Sequence, residues 1–490
     1  MKIDTHATHG HTPSRFNELL ARWQQYQPLL ELQNRLRDSR DRIAISGLAG
    51  SAEAFLVNGL ARSLDRPIII VTRSTDEAAE LHEDLLFLMN SERLAFYPSR
   101  QILPYDFKAP VGEIMGQRIS TLAGMLDNRL SVIVCPLRAL MEPTIPTKVL
   151  ASSRVDIEVG REIDVEDLVE RLVQLGFRRV PLVEEVGDFA RRGGLIDLFT
   201  PGSEYPVRVE LFGDTVETIR YFEVGNQRTV GQVERVTILP KREIPITQET
   251  LETELGKLPE EDADHIRHRY LNDPELPGLE WLSILFGLEQ GSLLDFLPHN
   301  AVVLLENEEA LREEAEEVIL EAESLHARLR ERLSQLPLPT EYYLSPESLF
   351  KRLEERTQIN HLPFRGARSD VISFNCQPHP AFNARLDLLG KAIREYREQQ
   401  VEYVITTDNE GQASRLDELI QQKAGLDELP HVEVISLRAG FGCPDAGFVV
   451  LTDHELFSRH HRRIRRKKFK EGVAISDYSA LTKGDYVVHT

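Results

Sequence analysis

The chain has 490 residues, enough for about three domains, and its 41% hydrophobic and 28% charged residues suit cores with a wetted surface. A formal net charge of −21 repels phosphate backbones wherever cations do not cluster, which excludes most of the chain from direct nucleic-acid contact. No apolar run nears the roughly 20 residues of a membrane span, and the opening MKIDTHATHGHTPS lacks the apolar stretch of a secretory leader. Cys135, Cys376 and Cys443 form no pairing or zinc pattern, so a reducing cytoplasm is expected.

His6, His9 and His11 read as a solvated tail rather than a metal tract. The first unit alternates strand and helix. Strand-like Ile43–Ser46 leads into a helix carrying Phe55, Leu56, Leu60 and Leu64, and the i, i+4 spacing of the last three makes an apolar stripe. A buried-type strand at Pro67–Thr72, a helix through Glu77–Met89 and a strand at Ser131–Cys135 follow, an order that implies a parallel sheet. Next, DVEDLVERLVQLGF reads as a helix capped by Asp164, with Leu168, Leu172 and Leu175 on one face and Gly176 ending it. Val207, Val209 and Leu211 alternate with Arg208 and Glu210, and Gly213-Asp214 turns the chain back through Val216–Phe222: a hairpin with one wet face.

A long acidic helix is expected at Asn307–Gln335, its glutamates a solvated face. From Asp370, strands at Val371–Phe374, Tyr403–Thr407, Val432–Ser436 and Phe448–Thr452 alternate with helices, predicting a separate small α/β domain. The basic run RHHRRIRRKKFK, Arg459–Lys470, allows three readings: a DNA contact, a surface for the chain's own acidic helices, or a linker with counterions. His361, His379 and Glu455 have no metal-ligand spacing, Asp453-His454-Glu455 is no more than suggestive, and no metal site is expected. The chain stops at LTKGDYVVHT without a terminator, which reads as a truncation.

One stretch invites a chemical test. GLAGSAEA, from Gly47 to Ala54, sits between strand and helix, where a phosphate loop G-x-x-x-x-G-K-[ST] belongs. Gly47 is in place and Gly50 and Ser51 follow, but Ala52, Glu53 and Ala54 stand where glycine, lysine and hydroxyl are needed. A carboxylate replaces the cation and a methyl the Mg²⁺ ligand.

ISGLAGSAEAFLV resembles the phosphate-loop segment of UvrB, the helicase-like excision-repair subunit. GFRRVPLVEEVGDFARRGGLIDLFTPGSEYPVRVELFGDTVETIRYFE is similar to its domain 2 and the hairpin leading back to its first domain. GLEWLSILFGLEQGSLLDFLPHNAVVLLENEEAL resembles the segment running into its Asp-Glu motif. The ordered set, with the lost lysine, resembles more closely the N-terminal half of the transcription-repair coupling factor (Mfd) family, which opens with a degenerate UvrB-like module.

That resemblance implies a multidomain α/β chain: a degenerate phosphate-loop (RecA-like) parallel-sheet domain with an inserted α/β domain, then a second small α/β domain. The expected divisions are 1–134 (domain 1A), 135–205 (domain 2), 206–366 (domain 1B), 367–458 (domain 3), 459–476 (basic linker) and 477–490 (the start of an RNA-polymerase-interacting domain). Where the family of motors has Asp-Glu, strand Val302–Leu305 runs into Glu306 and Asn307. With lysine, hydroxyl and acidic pair all changed, phosphoryl transfer loses its charge stabilisation, and no ATP hydrolysis, nucleotide or Mg²⁺ is expected in this chain. ATP and Mg²⁺ belong to the family's motor domains.

The resemblance also implies a partner, UvrA, held by domain 2. Phe177-Arg178-Arg179 and Phe189-Ala190-Arg191-Arg192-Gly193 match UvrB stretches, making Arg178, Arg179, Phe189, Arg191 and Arg192 the expected contacts, with Ala190 in place of a family arginine. An aromatic among arginines suits an interface; the residues alone equally allow a core Phe189 with solvated arginines. RNA polymerase is an expected partner of the following domain, damaged DNA an indirect one, and a membrane none. A chain ending at Thr490 would lack the C-terminal mask the family implies, so constitutive UvrA binding is expected. The alternative is an ATP-dependent helicase or translocase subunit active in its own right.

Overall fold

The computed structural model describes residues 15–38, 42–106, 110–244, 246, 248–270, 278–331, 336–364, 370–424 and 430–457. The histidine-bearing start, the basic run Arg459–Lys470 and the expected segments 459–476 and 477–490 lie outside these residues.

The chain first lays down β1 (Arg42–Ser46), β2 (Ile68–Thr72), β3 (Leu94–Phe96) and β4 (Val132–Pro136). It then leaves for β5 (Val155–Glu158), β6 (Arg178–Arg179), β7 (Asp188–Arg192), β8 (Leu195–Leu198), β9 (Val207–Phe212), β10 (Thr215–Phe222), β11 (Thr229–Val233) and β12 (Arg235–Ile238). It returns with β13 (Val302–Glu306), β14 (Thr357–Leu362) and β15 (Ile372–Ser373), and continues through β16 (Gln377–Pro378), β17 (Glu402–Thr407), β18 (Val432–Val434), β19 (Phe441–Cys443) and β20 (Phe448–Thr452).

The first sheet is entirely parallel, in the order β15-β1-β14-β13-β2-β4-β3. Its strands β2 and β4 are buried throughout, as their unbroken apolar runs require of a sheet covered on both faces. The helix Thr75–Leu88 starts on a reciprocal cap, Ser74 Oγ accepting from Glu77 N–H and the Glu77 carboxylate from Ser74 N–H.

Strands β6 to β11 make a second, six-stranded sheet, and β5 pairs with β12 beside it. The helix Val165–Gln174 closes one face of this unit, capped by Asp164 as the sequence predicts, with Leu168 and Leu172 buried. The expected boundary at 205/206 therefore needs correction: it separates β8 from β9, which pair antiparallel from Leu198↔Val207 to Leu195↔Glu210. The wet-faced hairpin completes the inserted sheet instead of leading out of it, and the chain rejoins the first sheet only at β13.

The third sheet, β16-β19-β20-β17-β18, is not a separate body. Val371–Phe374 was expected among its strands, but β15 pairs with β1. Trp23 stacks on Phe374 at 5.8 Å, Phe55 meets Phe441 edge-on at 5.1 Å, and Phe448 joins them in one core spanning both sheets. This docking brings the loop between β18 and β19 onto the phosphate-loop segment.

A buried ion cluster fastens the return of the chain. Glu243 accepts from Arg100 Nη2 at 2.6 Å and from Arg118 Nε at 2.8 Å, while Arg118 Nη1 also reaches Glu142 at 2.7 Å. All four side chains are buried. Burial alone would raise the Glu243 carboxyl; the two guanidiniums outweigh it and hold the pKa at about 2.

Candidate functional site

The residues singled out in sequence fall at two places: the carboxyl edge of the parallel sheet and one face of the inserted sheet.

At the carboxyl edge, β1 turns through Gly47 and Gly50, both at positive φ, into the helix Ala52–Ser63. Ala52 and Ala54 are buried in the core, and Glu53 is buried at the helix start. The turn before that helix is bonded to the loop between β18 and β19. Ser51 N–H donates to the Ala439 carbonyl at 3.1 Å, Ala439 N–H to Ser51 Oγ at 3.3 Å, and Arg438 Nη2 to the Gly50 carbonyl at 3.0 Å. Arg438 Nη2 also lies 3.8 Å from Glu53 Oε2 and its Nε 3.6 Å from Asp84 Oδ2. Its guanidinium stands opposite Glu53, the residue at the position where the loop pattern calls for lysine.

The ends of β13 and β14 complete this edge. Glu306 and His361 are register partners, and Asn307 N–H donates to the His361 carbonyl at 2.9 Å. His361 Nδ1 lies 3.7 Å from Glu53 Oε1. Burial and the Glu53 carboxylate push the Glu306 carboxyl well above its ordinary range, and burial lowers the His361 imidazole. The sequence places Glu53, Glu306 and Asn307 here; it gives no sign of Asp84, His361 or Arg438, each brought in by a distant element.

On the inserted sheet, strand alternation divides the five expected contacts. Arg178 pairs with Asp188 and Arg179 with Phe189, so neighbouring arginines point to opposite faces. Phe189 is fully buried against the helix Val165–Gln174 and β8–β10, which corrects its expected role: it is a core residue and not a surface anchor. Arg191 shares its face and bonds Glu166 at 2.6 Å. Arg178 and Arg192 share the other face.

That second face carries a ladder. Arg178 bonds the Asp188 carboxylate at 2.9 Å, and Arg192 reaches Asp197 at 3.4 Å. Arg208 grips Asp197 with two bonds of 2.7 and 2.8 Å and lies over the Phe222 ring at 4.6 Å. Arg220, opposite Arg208 on β10, bonds Glu210. The side chains of Asp188 and Asp197 are only 4% exposed, while those of Arg178 and Arg192 are 50% and 56% exposed. Acids lie beneath and guanidiniums outside, held flat by charge-assisted bonds. Arg208 and Arg220 are the members that sequence reasoning missed; the hairpin's wet face was legible, but not its continuity with Arg178 and Arg192.

A family profile described as the UvrB interaction domain matches residues 155–244, the whole inserted unit. Over nearly its full length the chain is similar to curated proteins of one name. They are transcription-repair-coupling factors. The protein from Myxococcus xanthus is 28% identical over 99% of this chain and 44% of its own length. That from Bacillus subtilis is 26% identical over 93% and 42%, and that from Staphylococcus aureus 24% over 91% and 41%. The chain thus spans less than half the length of these transcription-repair-coupling factors, and the residues that match the UvrB interaction domain profile include the sheet that bears the arginine ladder.

Proposed function

We propose that this chain is the recruitment module of a transcription-repair coupling factor, binding UvrA through the inserted sheet. The observation that carries the reading is the coincidence of the UvrB interaction domain with a sheet whose outer face presents Arg178, Arg192, Arg208 and Arg220 on an otherwise acidic chain. Guanidiniums braced by buried carboxylates lose little entropy on docking and fit a partner surface of carboxylates and carbonyls. UvrA would then be brought to RNA polymerase stalled at damaged DNA, with the polymerase contact and the DNA translocase supplied by other parts of the whole protein.

In this reading the nucleotide site is scaffolding. The loop lysine, its hydroxyl neighbour and the Asp-Glu pair are changed in sequence, and Arg438-Ala439-Gly440 occupies the cradle, so the chain neither binds nor hydrolyses ATP. The deciding experiment is capture of purified UvrA on immobilised chain. Arg192→Ala is expected to weaken capture at least tenfold with the melting temperature nearly kept, because Arg208 still holds Asp197. Undiminished capture would move the interface off this face.

A further inference from the structure

The carboxyl edge of the parallel sheet holds a second possibility that the recruitment reading leaves unused. One donor atom each from Glu53, Glu306 and His361 lies within 4.8 Å of the others. We propose that these three side chains bind a divalent transition cation, Zn²⁺ foremost, in the position that a phosphate-loop lysine would have filled.

Three features beyond the clustering of acids support the site. Glu53 Oε1 is buried, on a side chain only 3% exposed, with no N–H donor bonded to it; it faces the Glu306 carboxyl and lies 3.7 Å from His361 Nδ1. Two buried carboxyl groups that face each other repel unless a proton or a cation lies between them, and a cation also engages the imidazole. The other oxygen of the same carboxylate faces Arg438, which orients the group from outside as outer partners of metal ligands do.

Charge and geometry agree. Arg438 is shared with Asp84, leaving two carboxylates and an imidazole to match a dication. Donors around a tetrahedral zinc lie about 3.3 Å apart, so the observed 3.7 Å needs a shift of a few tenths of an ångström. Glu306 and His361 are fixed side by side by strand register, and neither side chain is fully buried. An imidazole among the ligands selects zinc, cobalt, nickel or copper over Mg²⁺ and Ca²⁺, which prefer oxygen alone.

The test is equilibrium dialysis of the whole 490-residue chain against Zn²⁺, with Mg²⁺ in parallel, in a background carrying alanine for His6, His9 and His11 so that the N-terminal histidines do not contribute. One equivalent of Zn²⁺ is expected, with none of Mg²⁺, and at least a tenfold loss of affinity in Glu53→Gln and in His361→Ala. Co²⁺ should give the visible absorption of a tetrahedral ion with one nitrogen and oxygen ligands, absent in both variants. Should His361→Ala unfold, Glu306→Gln replaces it, with far-ultraviolet circular dichroism recording the fold. No stoichiometric uptake, or equal uptake by folded variants and parent, would overturn the proposal. A second cluster, Asp408, Asp453 and His454, is the internal control: Asp408→Asn should leave the Co²⁺ spectrum unchanged, and its loss there would overturn the assignment to Glu53, Glu306 and His361.

Discussion

Ser51 and Ala439 clasp each other: the Ser51 N–H donates to the Ala439 carbonyl at 3.1 Å, and the Ala439 N–H returns a bond to Ser51 Oγ at 3.3 Å. They are 388 residues apart in sequence. The backbone donor just ahead of the helix Ala52–Ser63 is thereby spent inside the protein.

Gly50 is the tightest point of that clasp. Its φ is +54°, and a Cβ there would lie 2.6 Å from the Gly440 carbonyl oxygen. Gly50→Ala should cost about 1–3 kcal/mol through backbone strain and displacement of the loop. Differential scanning calorimetry would show a lowered melting temperature; an unchanged one would mean that the loop yields freely.

Saturable binding of a fluorescent ATP analogue with Mg²⁺ should be absent from the chain, and Arg438→Ala should not create it. The guanidinium leaves, but Ala439 and Gly440 still fill the cradle and Glu53 still opposes a triphosphate. Anisotropy titration is the measurement, and a saturating signal in the parent chain would count for the helicase reading.

The ion cluster predicts an acid-sensitive fold. The Glu243 pKa is depressed from its ordinary 4.5 to about 2, so the stability it confers is complete above 4.5 and lost as pH falls toward 2. Glu142, raised by burial, acts with the opposite sign. In urea titrations across this window, Glu243→Gln should flatten the loss of stability with falling pH. At neutral pH the same change should cost about 3–5 kcal/mol, because buried Arg100 loses its bonded carboxylate and buried Arg118 keeps only Glu142.

Phe189 and Arg192 should behave in contrasting ways. Phe189→Ala removes a fully buried ring and should cost about 3–5 kcal/mol, visible as a large fall in melting temperature. Arg192→Ala should cost no more than about 1 kcal/mol, since Arg208 still holds Asp197 with two bonds. Loss of UvrA capture by the first variant would report unfolding, and by the second an interface.

Periodicity made much of this fold readable. Ile68–Thr72 and Val132–Pro136 are buried where their apolar runs predict, and Asp164 caps the helix it was expected to cap. What stayed hidden needed contacts between distant segments. Nothing local shows that Val207–Phe212 pairs backwards with Leu195–Leu198, so the hairpin looked like a way out of the domain. An aromatic between charged residues reads alike as anchor or as core, and only the pairing partners of Phe189 assign it inward. Arg438 and His361 lie 385 and 308 residues beyond Glu53, and no spacing rule reaches that far.

The pairing of β5 with β12 has a mechanical consequence. Val155, where the chain enters the inserted unit, lies directly opposite Ile238, where it leaves. Both tethers thus emerge at the same end of a two-stranded ribbon. A partner that hauls on the arginine face while the parallel sheet is anchored loads that ribbon by peeling, one rung after another, instead of shearing all its rungs together. The Val155–Ile238 rung takes that load first, ahead of the rungs between Ile157 and Val236 and beyond.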